Sequence, residues 1–467
     1  MTGSPNSRMF LACARPACSA IPGNILAANN LIPALAGYLP DRRGPFNGTS
    51  QGVDSRCRAR LAYSNIRTSF IYWNNREETV AGRLTADQET IRDTILRLCS
   101  QFGDDYWLAR DRDGVFPEDF RQALIDGGWL GLTMPAEYGG AGLGIAEGAI
   151  MMQAIAESGA GMSGASAVHL NVFAPKTIIK FGSEEQKRRM LPPIIRGEVM
   201  AAFGVTEPDA GLDTTNIKTK AARQGDRYIV NGRKVWTTLA QKAEKLFLLA
   251  RTTPREQCAK PTDGISLFYT DLDRSRCEAR EIEKMGRKCI DSNQFFIDDL
   301  EIPAKDRIGE EGRGFEYILM GLNPERILLA AEAIGLGRAA LNRATRYAKE
   351  RVVFNRPIGK NQAIQHPLAE NWMELEAANL MMLHAAELYD AGKPCGAEAN
   401  AAKYLGAEAG FKACTQAVMT HGGFGYSKEF HVERYMREVM IPRIAPVSRE
   451  MILSFIAEKV LGLPKSY

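Results

Sequence analysis

Two hydrophobic periods divide the chain. From Leu84 the apolar residues recur at helical spacing in "LTADQETIRDTILRLCSQFGDDYWLARD", with Thr85 as cap, and again in "FPEDFRQALIDGGWLGL", which ends on glycine. The glycines of "PAEYGGAGLG" (135–144) predict a loop, and helical patterns resume in "AEGAIMMQAIAESGAG" and "SEEQKRRMLPPIIRG". Near residue 200 the period falls to two, in "AAFGVTEPDAG", "RYIVNGRKVWTT", "KLFLLARTT", "GISLFYTDL" and "NQFFIDDLEIP". Short strands at regular spacing predict a small antiparallel barrel or sandwich. After "GEEGRGFEYI" the helical period returns and holds to "KVLGLP", broken at "NRPIGKNQ" and "HGGFGYS". The predicted fold is therefore α+β and multidomain: an extension over 1–82, a helical domain over 83–200, a β domain over 201–312 and a helical bundle over 313–467.

Charge changes the picture at the N-terminus. Residues 1–76 hold nine Arg and no Lys, with Asp41 and Asp54 as their acids, which matches a mitochondrial transit peptide or a disordered extension. The whole chain is formally +4, so everything after this stretch is net acidic. That excludes the clustered basic face of a nucleic-acid binder. No run of 18 apolar residues marks an integral membrane segment. The nine cysteines form no CxxC pair and the five histidines are dispersed, which excludes a metal centre and a disulfide framework and suits reduced thiols inside a cell.

Four stretches carry candidate chemistry. In "FGVTEPDAG" (203–211) and "KVWTT" (234–238), Thr206, Trp236 and Thr238 offer hydroxyls, turn amides and an indole to a flat heteroaromatic ring, or equally a plain turn and a core tryptophan. In "YAKERVVFNRPIGKNQAIQHPLAE", Arg351 beside Asn361 and Gln362 suits a pyrophosphate, or a solvated helix hairpin. The glycines of "THGGFGY" (420–426) let backbone approach a ligand or turn a corner. In "GLNPERILLAAEAIG" (321–335), Asn323 is a natural N-cap and Pro324 suits the first helical position. Glu325 is then either an acid complementing the helix dipole or a reactive carboxylate.

Taken in order, "VTEPDAG", "VNGRKVWTT", "EKMGRK", "IGEEGRGF", "YAKERVVFNRPIGKNQAIQ" and "HGGFGY" resemble the acyl-CoA dehydrogenase family from about Leu84 to the C-terminus. The resemblance implies a C-terminal four-helix bundle, FAD as cofactor, an acyl-CoA thioester as substrate, an electron-transfer flavoprotein as acceptor, and a homotetramer in which one subunit completes another's cofactor site. It implies that Phe203, Val205, Thr206, Trp236, Thr237, Thr238 and Ser448 surround the flavin. Arg351, Asn361, Gln362, His421, Gly422 and Gly423 fall to the rest of FAD, and Leu212, Asn323 and Arg326 to the CoA substrate.

The family's chemistry, α-proton abstraction with hydride transfer to flavin N5, needs a carboxylate in a dry pocket. The commoner family position for it falls on Pro446 of "RIAPVSREM", which cannot take a proton. The alternative position, used by isovaleryl- and long-chain-type members, falls on Glu325, so the resemblance makes Glu325 the base, with Glu332 and Glu450 as weaker alternatives. Three departures stand out: Leu212 replaces a family serine, Met419 a family glutamine, and Pro446 lacks the N–H that would donate to the thioester carbonyl, leaving Val447 N–H or a ribityl hydroxyl of FAD to compensate. These departures keep two further readings open, an oxidase of the acyl-CoA or nitroalkane type using dioxygen and a non-catalytic flavin-binding or assembly subunit. The leader suggests the mitochondrial matrix, with a bacterial cytoplasm as the alternative.

Overall fold

The computed structural model describes residues 84–466, so the Arg-rich leader lies outside the described residues. Helix α1 (Ala86–Cys99) starts at the predicted cap: the Thr85 hydroxyl accepts from Gln88 N–H at 3.2 Å, and the Gln88 side chain accepts from Thr85 N–H at 3.1 Å. Two N–H groups that a helix start leaves open are thereby satisfied. Seven more helices follow: α2 (Asp104–Asp113), α3 (Glu118–Asp126), α4 (Ile145–Ile155), α5 (Gly161–Ser166), α6 (His169–Phe173), α7 (Pro175–Phe181) and α8 (Glu184–Ile195). Every residue of α4 except Glu147 is buried, and the other helices wrap around it.

The strands are β1 (Ala201–Gly204), β2 (Lys220–Gln224), β3 (Arg227–Thr238), β4 (Lys245–Arg251), β5 (Ile265–Asp271), β6 (Cys277–Glu281), β7 (Ser292–Pro303) and β8 (Arg307–Ile308). They form one sheet in the order β6-β7-β3-β2-β4-β5-β8, with β1 beside β4. The sheet is mixed, which corrects the expectation of a purely antiparallel one: β1 runs parallel to β4, and β2 meets β4 through a parallel pair at Lys220 and Arg251. Alternation along a strand reports which face is buried and says nothing about direction. Here β1 and β2 are joined by the long 205–219 connection, so no hairpin forces them to run antiparallel.

Helices resume with α9 (Gly314–Glu350), α10 (Gln362–Asp390) and α11 (Gly396–His421). Three short helices, α12 (Val432–Glu438), α13 (Ile441–Ile444) and α14 (Arg449–Phe455), complete the bundle. Helix α9 starts at Gly314 and not at Asn323, so Asn323 is no cap and Pro324 lies inside the helix. A proline there removes one backbone hydrogen bond and costs about 3 kcal/mol. The helix runs on regardless, because the stretch from Ile327 to Gly337 is buried without a break and that packing outweighs the local cost.

The close approach of α9 to its neighbours depends on glycine. A Cβ on Gly410 would stand 2.5 Å from the Ala333 carbonyl oxygen, and one on Gly335 would stand 2.2 Å from that of Gln153. Gly410→Val should therefore force α9 and α11 apart and lower stability by about 1–3 kcal/mol. Thermal unfolding of the variant beside the parent checks this, and an unchanged midpoint would contradict the seam.

Candidate active site

Glu325 lies nearly three turns into α9, beyond the reach of the dipole at its N-terminus. The cap reading of this acid therefore fails. Its side chain is 9% exposed, and Oε2 has no hydrogen-bond partner among the described residues. Burial pushes its pKa up to about 7, with Glu332 adding to the rise while His169, Arg326 and Lys403 pull the other way. A carboxylate of this kind is dry, unpartnered and close to half ionised at neutral pH.

The other two acids differ. Glu332 is 1% exposed but bonded to His169 Nδ1 at 2.6 Å, whereas Glu450 is exposed with Arg449 3.9 Å away. Of the three, Glu325 is the one left free in a dry place.

Two cations stand by it. Arg326 donates through Nη1 to Asn323 Oδ1 at 2.9 Å, and its buried Nε has no partner among the described residues. Lys403 is a single buried cation in the alanine-rich "GAEANAAKYLGAEAG", and burial, with repulsion from Arg326, lowers its pKa to about 8. Its ammonium donates to the Val447 carbonyl at 2.5 Å. Lys403 thus ties the Pro446 loop to the helix facing Glu325, bringing the two alternative family positions to one place. Val447 N–H has no acceptor among the described residues and is free to donate. Sequence reasoning missed Lys403, although a lone lysine in an alanine-rich helix face was the available signal.

The flavin motifs meet at one end of the sheet. Val235 N–H donates to the Thr206 carbonyl at 2.9 Å, joining the two stretches, and a buried ion pair locks them. Lys234 Nζ donates to Glu207 at 2.9 Å and to the Val205 carbonyl at 3.1 Å, while Glu207 also accepts from the backbones of Lys218 and Thr219. Burial lowers the Lys234 pKa to about 8; for Glu207, burial works upward, and Lys234 and the backbone donors more than reverse it. This pair is a second feature the sequence did not disclose.

Beyond the pair, a register shift between Lys234 and Thr237 turns Trp236 outward at φ 60°, leaving its indole 56% exposed. Beside it Thr237 Oγ1 is buried with no partner among the described residues, and Thr206 and Thr238 are half-buried. An open indole next to an orphaned hydroxyl fits a flat, hydrogen-bonding ring, so these residues fit the flavin of FAD. Phe203 stacks edge-on against Phe173 at 5.4 Å, and Phe173 packs on His169 at 5.0 Å. That aromatic chain links the flavin end of the sheet to the carboxylates of α9.

The remaining expected cofactor residues gather elsewhere. Arg351 lies over the Phe424 ring at 5.7 Å, His421 stacks on Tyr347 at 4.3 Å, and Asn361 accepts from Arg356 at 2.7 Å. Arg351, Gln362, Gly422 and Gly423 are exposed. Along α9 this cluster lies roughly 39 Å from Glu325 at the helical rise per residue. Ser448 caps α14 by accepting from Met451 N–H at 3.3 Å, and Leu212 and Met419 are exposed. Among the described residues, no cluster of His, Cys, Asp and Glu could hold a metal ion, and no helix is long and apolar enough to cross a membrane.

Comparison with known proteins gives this geometry its family. The chain matches the N-terminal domain of acyl-CoA dehydrogenases over residues 85–198, the middle domain over 202–300 and the C-terminal domain over 312–461. It is 38% identical to an acyl-CoA dehydrogenase of Mycobacterium tuberculosis, across 82% of this chain and 97% of that protein. It is 34% identical to a subunit of the caffeyl-CoA reductase-Etf complex of Acetobacterium woodii, across 71% and 86%. The structure of butyryl-CoA dehydrogenase from Megasphaera elsdenii superposes with a TM-score of 0.77 at 29% identity, covering 81% of this chain and 99% of that one. With all three domains matched, the chain belongs to the acyl-CoA dehydrogenase family and is an FAD-dependent oxidoreductase of that class.

Proposed function

We propose that the protein removes the α and β hydrogens of an acyl-CoA thioester to give the trans-2-enoyl-CoA, with Glu325 as the base. The observation that carries this is a buried carboxylate with a free oxygen and a pKa raised to about 7, where a general base is most effective near neutral pH. Burial strengthens its basicity once ionised, and Arg326 and Lys403 supply the positive charge that keeps the ionised form accessible. The free Val447 N–H is suited to donate to the thioester carbonyl, replacing the donor that Pro446 lacks. FAD, when bound, accepts the β-hydrogen as hydride. Lys403 holds the loop that bears this donor against the base, so proton acceptor and carbonyl donor are positioned by one side chain.

The exposed Arg351, Gln362, Gly422 and Gly423, roughly 39 Å along α9 from Glu325, support a homo-oligomer, a tetramer by family resemblance, in which each FAD is shared between subunits. The relative in the reductase-Etf complex supports an electron-transfer flavoprotein as acceptor, and the relatives' bacterial sources favour the bacterial cytoplasm over the mitochondrial matrix.

Glu325→Gln should keep the yellow FAD-loaded protein and slow anaerobic bleaching by substrate by roughly a hundred- to ten-thousandfold. Bleaching at the parent rate would refute the base. In the parent, kcat/KM should climb with pH through about 7 as Glu325 loses its proton. Electrons leaving the bleached flavin should pass faster to electron-transfer flavoprotein than to dioxygen, and rapid peroxide formation in stopped-flow reoxidation would make the protein an oxidase instead.

The same raised pKa acts on stability. Because burial favours the protonated acid, the folded chain holds this proton more tightly than the unfolded one. The resulting stabilisation is complete below pH 4.5, the ordinary value, and is lost as pH rises through about 7. Glu325→Gln should therefore match the parent in acid and exceed it by up to about 3 kcal/mol above neutrality. Unfolding midpoints of the two proteins across that range check the trend.

A further inference from the structure

Below Glu325 lies a second buried cluster that the proton-abstraction chemistry leaves unused. Glu332 follows Glu325 by two helical turns on the same face of α9, roughly 10 Å deeper along the axis. Its carboxylate holds His169 Nδ1 at 2.6 Å. His169 Nε2 has no hydrogen bond among the described residues, and the ring retains 13% exposure beside Phe173.

Arg287, from the "EKMGRK" stretch, closes the cluster from the β domain. Its Nη1 donates to Ser166 Oγ at 2.7 Å, yet among the described residues its buried Nε has no partner and Nη2 makes no bond. A guanidinium carries five N–H donors, and leaving them unmet inside a protein is costly. Glu332 and Glu438 lend Arg287 charge without bonding to it: Glu332 is engaged by His169, and Glu438 is committed to Ser163 and Arg434. Beside the accessible His169 Nε2, Arg287 thus keeps donors open to a ligand.

We propose that His169 and Arg287 form the far end of the acyl-binding site and select an acyl-CoA whose chain carries a hydrogen-bond-accepting oxygen group, a carboxylate above all, several carbons beyond the thioester. The inference rests on the acyl-CoA reading of Glu325 and extends it. Open guanidinium N–H groups match carboxylate oxygens two at a time. Glu332 holds the imidazole in place, and by pulling the His169 pKa above its ordinary range, against the effect of burial, it makes Nε2 a donor. The rejection of a plain alkyl chain follows as well, since such a chain would cover these donors without bonding to them.

The test uses the FAD-loaded enzyme under anaerobic conditions, with matched pairs of straight-chain and ω-carboxy acyl-CoAs from hexanoyl to decanoyl, scored by kcat/KM for flavin bleaching. The ω-carboxy member of at least one pair should be preferred roughly tenfold or more. The double variant His169→Phe with Glu332→Gln removes the bonded pair together and leaves Glu438 as the counter-charge near Arg287; its flavin absorbance reports that it still folds and binds FAD. In it the preference should collapse or invert. Equal kcat/KM within every pair for the parent, or an unchanged ratio in a yellow double variant, overturns the proposal while leaving the acyl-CoA reading intact. Failure of every acyl-CoA to bleach the parent overturns that reading and the proposal with it. A double variant that loses its flavin is replaced by Arg287→Met, for which the same collapse is expected and an unchanged ratio is again fatal.

Discussion

Everything in the molecule hangs on how closely α9 is gripped. Its backbone touches α4 at Gly335 and α11 at Gly410, distances that leave no room for a side chain. Direct backbone contact of this kind removes the freedom to slide or rotate, because interiors packed to crystal density deform little. A rigid α9 is what allows a charged residue to be buried on it at all. Glu325 and Glu332 stay dry because the helix cannot roll to hydrate them, and their partners arrive from three separate parts of the chain: His169 from the helical domain, Arg287 from the β domain and Lys403 from α11. The site is therefore a property of the packed assembly of domains, and no single domain contains it.

Much of the architecture was legible because period and punctuation are local properties. Thr85 capped its helix as predicted, and the change of period near residue 200 marked the strands. Asn323 misled for an instructive reason. Asn followed by Pro is a sound local signal for a helix start, but apolar burial on both sides of Pro324 carried the helix through it. The parallel pairing of β1 was equally hidden, since alternation is blind to strand direction. Motif order was sufficient to identify the family and its cofactor. It could not disclose Lys403, the Glu207–Lys234 lock or the His169–Glu332–Arg287 cluster, which are contacts between residues 27 to 163 positions apart and exist only once the chain is folded.

The electrostatics of the site follow one pattern. Buried cations surround a carboxylate without bonding to it, so their attraction lowers the cost of ionisation while both carboxylate oxygens stay available to a ligand. Had Arg326 or Lys403 formed a direct salt bridge with Glu325, the acid would have been held ionised and its basicity lost. Each cation is instead occupied by a neutral carbonyl, Asn323 for Arg326 and Val447 for Lys403. The arrangement keeps positive charge near the acid and keeps it from closing on the acid.

The bond from Lys403 to Val447 also bears on how such a site can change over time. One ammonium lies in the field of the carboxylate on α9 and grips the backbone of the loop on which the family resemblance sets the commoner catalytic acid. Moving the acid between these two elements exchanges one neighbour of Lys403 for another and leaves the local charge balance as it was. A lineage could therefore shift its reactive group from loop to helix in two substitutions without passing through a buried cation stripped of its counter-charge. The lysine acts as a hinge in sequence space, and its burial is the condition that makes such a relocation tolerable.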